Sequence, residues 1–167
     1  MPRGIKETSG LIVISSSVSE TAPNTFTTNR VDLQLNPLDN EVFVVYGIDL
    51  DVQPADLVAG TTTATSMSMS ATARTTIGGI GDNNVFAAQR IRTQELAGAA
   101  VTNEYSSDSA PSTQLEYLGI IATNDFFLNI EGSNNAAIKF GNCRVYGVRG
   151  KADASIYAAL VQSELLS

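Results

Sequence analysis

The chain of 167 residues contains no histidine and no tryptophan, a single cysteine, and few charges of either sign. Without histidine, Ser–His–Asp and Cys–His arrangements cannot be assembled and the usual zinc sites lose their commonest ligand. With Cys143 alone, internal disulfides and thiolate clusters are closed off as well. Arg144 beside it would lower the thiol pKa, and the competing reading is a small, inert strand residue. Charged residues make up 16% of the chain against a usual value of about 25%. Ser, Thr, Asn, Ala and Gly fill the gap, which suits surfaces that lie against other subunits, where desolvated charge is costly. The longest apolar runs, Leu11–Ile14 and Val42–Tyr46, fall far short of the roughly 20 residues that span a bilayer. The first ten residues, MPRGIKETSG, carry only Arg3 and Lys6, so they read neither as a polybasic arm nor as a signal peptide, and the chain is expected to be soluble as written.

The net charge of −7 disfavours nonspecific nucleic-acid binding, because a phosphate backbone would be repelled, and no specific nucleic-acid binding is expected. At this length one domain with a sizeable core is expected. The apolar period is 2 nearly everywhere. Val31, Leu33 and Leu35 share one face of the stretch Thr25–Leu35, and after the turn signal NPLDN the residues Val42, Val44, Tyr46, Ile48, Leu50 and Val52 are expected to point one way. That alternation predicts a strand of roughly 40 Å at about 3.3 Å per residue. In TSMSMSATAR (65–74), Met67, Met69, Ala71 and Ala73 form an inner face opposite Ser66, Ser68, Ser70 and Thr72, an outer face of hydroxyls. Val85–Gln94 predicts another strand, with Phe86, Ala88, Arg90 and Arg92 on one face, and a helix is the competing reading there. Leu96–Thr113 lacks a period and is expected to be a long loop, of the kind that is functional, serves interaction or is mobile. Strands over Gln114–Gly132 and Ala136–Lys151 bring the count to about eight. Only the end changes period: Ile156, Tyr157, Leu160, Val161, Glu164 and Leu165 recur at helical spacing behind Asp153 as N-cap.

No catalytic set emerges, and no cofactor is expected. GGIGDNN (78–84) is glycine-rich but precedes no helix, and is assigned to a turn. Asp49 and Asp51 share a strand face and would supply part of a calcium shell, but two carboxylates leave it incomplete. One charge pattern stands out: Lys139, Arg144, Arg149 and Lys151 fall within Ile138–Lys151 with no acidic residue among them. In an acidic protein such a run has a ready partner in the acidic surface of an identical copy.

About eight strands over Leu11–Lys151, a long early strand, hydroxyl-rich surfaces, the missing catalytic set and a short C-terminal helix together resemble the small single jelly-roll capsid proteins of tailless icosahedral viruses. The resemblance implies an all-β fold, an eight-stranded jelly-roll β-sandwich with a short C-terminal α-helix, assembled into pentameric or hexameric capsomers of a virion. It implies an N-terminal arm over 1–10, a sandwich over 11–151 and a helix over 152–167 that packs on the domain, a neighbour or a membrane. The partners implied are identical subunits, other virion proteins or an internal membrane. The residues expected at the subunit interface are Lys139, Arg144, Arg149, Lys151, Ile156, Leu160 and Leu165. The missing basic arm departs from capsid proteins that package the genome directly. Two other readings stand beside it: a phage tail, fibre or decoration module, and a non-viral extracellular filament or surface-layer subunit.

Overall fold

The computed structural model describes residues 1–107 and 115–166. Two antiparallel sheets face each other. The first contains β1 (Ile5–Glu7), β2 (Ile12–Ser19), β4 (Glu41–Val52), β8 (Gly119–Ile121) and β10 (Phe140–Ala152). The second contains β3 (Thr27–Asp32), β5 (Thr62–Ser70), β6 (Val85–Leu96), β7 (Ala99–Ser106) and β9 (Asp125–Ser133), in the order β3-β9-β5-β6-β7. Both β1 and β2 pair with β10, whose other neighbour is β4, so they are two halves of one edge strand interrupted at residues 8–11. With those halves counted once, the first sheet runs β1/β2-β10-β4-β8 and the chain crosses between sheets as two interleaved Greek keys do, which is the jelly roll. The described strands number ten, not eight. The extra two are the divided first strand and β7.

The inter-sheet core gathers Phe43, Val45, Ile48, Met67, Met69, Phe126, Leu128, Ile130 and Val145, all at most 1% exposed. Side chains fill the interior. A second core lies on the outer face of the first sheet, where Val42, Val44, Val148 and Ala152 meet Ile156, Tyr157, Leu160 and Val161 of α1 (Ala154–Leu166). The helix begins where Asp153 accepts the N–H of Ile156 at 2.9 Å. It is tied at its far end by Glu164, whose carboxylate accepts the N–H of Ala122 at 2.6 Å and both the N–H and hydroxyl of Thr123. Leu165 projects to solvent at 72% exposure.

Three expectations about strand faces are corrected. In β4, Tyr146 pairs with Gly47 but Gly147 pairs with Val45, so Tyr46 is an extra residue. Such a bulge shifts the side-chain phase by one. Val42 and Val44 therefore face the helix while Ile48, Leu50 and Val52 face the opposite sheet. In β6, Ser70 pairs with Val85 and Met69 with Ala87, so Phe86 is the extra residue. Its ring turns into the core over Gly119, where a Cβ would sit 3.1 Å from it, while Ala88 and Arg90 stay with the outer side. Ser68 and Ser70 are not exposed hydroxyls: both are fully buried and both accept from the Asn129 amide, at 3.3 and 3.0 Å.

The segment from Leu96 is likewise a strand over its first half. Ala97 and Gly98 take φ of 54° and 82°, the left-handed pair of a two-residue hairpin turn, and β7 returns along β6. Residues 108–113 of that expected loop lie outside the described residues. No described helix is long and apolar enough to cross a membrane.

Candidate interaction surfaces

The four basic residues of the last strand do not meet on one face. β10 pairs with β2 without interruption, so its residues alternate strictly, and Arg144 lies on the side away from Cys143 and Val145. Lys139, just before β10, is 2% exposed and binds Asp56, which also accepts the N–H of Ala136 at 3.0 Å and Ala137 at 3.1 Å. The Lys139 ammonium and those two amides hold the Asp56 carboxyl below its ordinary range. Arg149 donates to the carbonyls of Leu33 at 2.7 Å and Gln34 at 3.2 Å, and to Glu41 at 3.3 Å. Lys151 reaches Asp39 at 3.8 Å, both side chains more than half exposed. Of the apolar residues expected at an interface, Ile156 and Leu160 pack within this chain and Leu165 stands free of the core.

Arg144 sits opposite Ser15 of β2 and Asp49 of β4. With Asp51, Asn142 and Ser17 these line an open concavity of about 620 Å³ beside the helix-covered half of the sheet. The Tyr146 hydroxyl donates to Asp49 at 3.0 Å. No third carboxylate joins Asp49 and Asp51: among the described residues no group of three His, Cys, Asp or Glu is placed to hold a metal ion. Beneath this face, burial pushes the Cys143 thiol up to about 12, with a further contribution from the Asp49 charge, so Arg144 does not activate it.

On the other sheet, the chain between β5 and β6 folds back so that Ile77 and Ile80 line a cleft of about 640 Å³ with Ala88, Arg90 and Tyr105. Arg74 braces this excursion by donating to Asn84 at 2.7 Å and Asp82 at 3.2 Å. The glycine-rich segment 78–84 forms turns within it. The far wall of the cleft is β7, whose eight residues are all exposed. Ile80 (69%) and Tyr105 (57%) leave apolar surface exposed along this border, and Val101 (59%) lies farther along β7 beyond Asn103. Beyond β7 the sheet has no further strand among the described residues.

No family model matches the chain, and no curated protein matches it. Among solved structures it is similar to a chain from Desmodium yellow mottle tymovirus, with 7% identity, a TM-score of 0.31, and coverage of 93% of this chain and 96% of that one.

Several residues that organise these surfaces carry no sequence signal. Glu20 is 3% exposed and accepts three backbone N–H groups, those of Thr25, Gly132 and Lys139. Asn24 and Asn135 exchange hydrogen bonds across the same corner. Two of the three Glu20 donors lie more than a hundred residues along the chain, beyond any local pattern.

Proposed function

We propose that this chain is a structural subunit that packs against copies of itself in a closed shell, the capsid of a virion. The observation that carries this reading is β7: eight exposed residues without proline, lysine or arginine, at the open end of a five-stranded sheet. Proteins that stay monomeric blunt such edges with those residues, with bulges or with a covering element. An edge whose one charge is Glu104, which no element covers among the described residues, and which Ile80 and Tyr105 border with exposed apolar surface, is a surface shaped for a partner. The sandwich interior supports the same reading, because Phe43, Phe126 and Met67 fill the space that a ligand-binding barrel would leave open. A surface with few charges makes wide subunit contacts cheap to desolvate.

Negative-stain microscopy and light scattering of the purified protein across a concentration series test it. Closed particles are the expected outcome. Filaments would transfer the chain to the fibre or surface-layer readings, and a monomer at every concentration would overturn the proposal.

A further inference from the structure

We propose that β7 forms a two-fold contact, pairing antiparallel with β7 of a second copy with Asn103 on the axis, so that the β3-β9-β5-β6-β7 sheet runs on into its counterpart. The contact rests on the self-association proposed above, though not on the closed shell.

The backbone selects the register. Ser107 donates its N–H to the Ala88 carbonyl at 2.9 Å, continuing the β6–β7 ladder. In an antiparallel ladder the bonding direction alternates residue by residue, so Tyr105, Asn103 and Val101 turn their N–H and C=O groups toward β6. Those of Ala100, Thr102, Glu104 and Ser106 point outward from the sheet. A two-fold centred on Asn103 sets Thr102 against Glu104 of the second copy and Ala100 against Ser106. Every outward group then meets another outward group, in four hydrogen-bonded pairs and about eight bonds.

The side chains agree with that register. Val101 and Tyr105, 59% and 57% exposed, face each other twice across non-hydrogen-bonded positions, where side chains approach most closely. A β-branched residue against an aromatic one is a favourable cross-strand pair. Glu104 is the one charge on the strand, and it meets Thr102 instead of its own copy. Shifting the axis to Glu104 would set two carboxylates face to face, and shifting it to Thr102 would break the Val101–Tyr105 match and shorten the overlap. An isologous contact needs this kind of self-complementarity, and the eight residues AAVTNEYS supply it.

The test uses the full chain carrying Asn103→Cys. On the axis the two Cα atoms would lie about 4.5 Å apart, within the roughly 4.4–6.8 Å that a disulfide spans. Cys143 is buried and adds no background. Under mild oxidation Asn103→Cys is expected to run largely as a disulfide dimer, while Val101→Cys, whose copies would lie about 13 Å apart along the strand, is not. Thr102→Pro deletes an outward N–H and leaves the β6 ladder whole. Because it also gives up the Thr93–Thr102 hydroxyl contact at 3.1 Å, it is expected to lower the melting temperature by only about 2–4 °C while weakening self-association roughly 10- to 100-fold in sedimentation velocity. Asn103→Cys that oxidises no faster than Val101→Cys, or Thr102→Pro that associates as the parent does, overturns the contact. If particles still form in that case, only the β7 pairing falls, whereas a parent chain that is monomeric throughout removes the self-association reading as well.

Discussion

Lys139 and Asp56 show how much one buried ion pair can carry. The ammonium is enclosed, and the Asp56 carboxylate ties it to the amides of Ala136 and Ala137, closing the chain between β9 and β10. Asp56→Asn leaves the buried charge unmatched, and a loss of about 2 kcal/mol is expected by chemical denaturation at pH 7. Because the folded carboxyl is held below its ordinary value of 3.8, its contribution is complete above that pH and drains away as pH falls through the lower folded value. The parent should therefore lose more stability than Asp56→Asn on acidification below pH 4. Cys143 titrates in the opposite sense. Its folded value near 12 against an ordinary 9.0 means that stability is full below pH 9 and declines as pH rises toward 12. At pH 8 native protein should resist iodoacetamide and unfolded protein should take up one label per chain, as read by mass spectrometry.

At the scale of elements, the helix and β4 depend on each other. The Tyr46 bulge lets one twelve-residue strand supply both cores: Phe43, Val45 and Ile48 go to the sandwich, and Val42 and Val44 go to the helix. Helix α1 would be marginal alone, and it is stable here because it covers that apolar face and ends on Glu164. Glu164→Ala strips a partner from three donors, Ala122 N–H, Thr123 N–H and the Thr123 hydroxyl. A destabilisation of about 2–3 kcal/mol is expected, with faster hydrogen exchange at Thr123 than at the centre of β10. Stability indistinguishable from the parent would show that the helix is held by Ile156, Tyr157, Leu160 and Val161 alone. The β6–β7 hairpin is simpler, since its two-residue turn needs left-handed backbone at Ala97 and Gly98. Gly98 meets it at little cost, whereas Ala97 adopts it at a strain of roughly 1 kcal/mol.

Over the whole molecule, the basic residues of the last strand separate into internal and external duties, and charge reversal should expose the division. Arg149→Glu would set a carboxylate against the Leu33 and Gln34 carbonyls and against Glu41, so a loss of about 3 kcal/mol is expected. Arg144→Glu, on the exposed outer face, should change stability by less than about 1 kcal/mol. Its effect belongs to assembly, read by light scattering. Self-association through backbone pairing and apolar contact should also persist when salt is raised from 0.1 to 1 M, although the Debye length falls from about 10 to about 3 Å. Dissociation at 1 M salt would return the cohesion to exposed charge, and Arg144 would then be the first residue to test.

Apart from β1 and β7, the strands, their two-residue period and the terminal helix were legible in the residues, because side-chain alternation and helical spacing are local consequences of backbone geometry; β7, AAVTNEYS, shows no alternation of apolar and polar residues because it is exposed along its whole length. Three things awaited the tertiary structure. The bulges at Tyr46 and Phe86 arise from how β4 and β6 register with their neighbours, and a strand carries no mark of where its partner skips a residue. The serines of β5 alternate as an exposed face would, yet Ser68 and Ser70 are buried, bonded to Asn129 of the neighbouring strand β9 and, for Ser70, to the Thr72 carbonyl in the excursion after β5. The run Lys139–Lys151 looked like one patch because charge was counted along the chain, yet a strand sends successive side chains to opposite faces, and the acidic partners of Lys139 and Arg149 come from segments more than eighty residues away. Local pattern thus determined most of the elements, but not the edge strand β7. Register and long-range closure, set by loop paths and strand partners, decided which of their faces remain for another molecule.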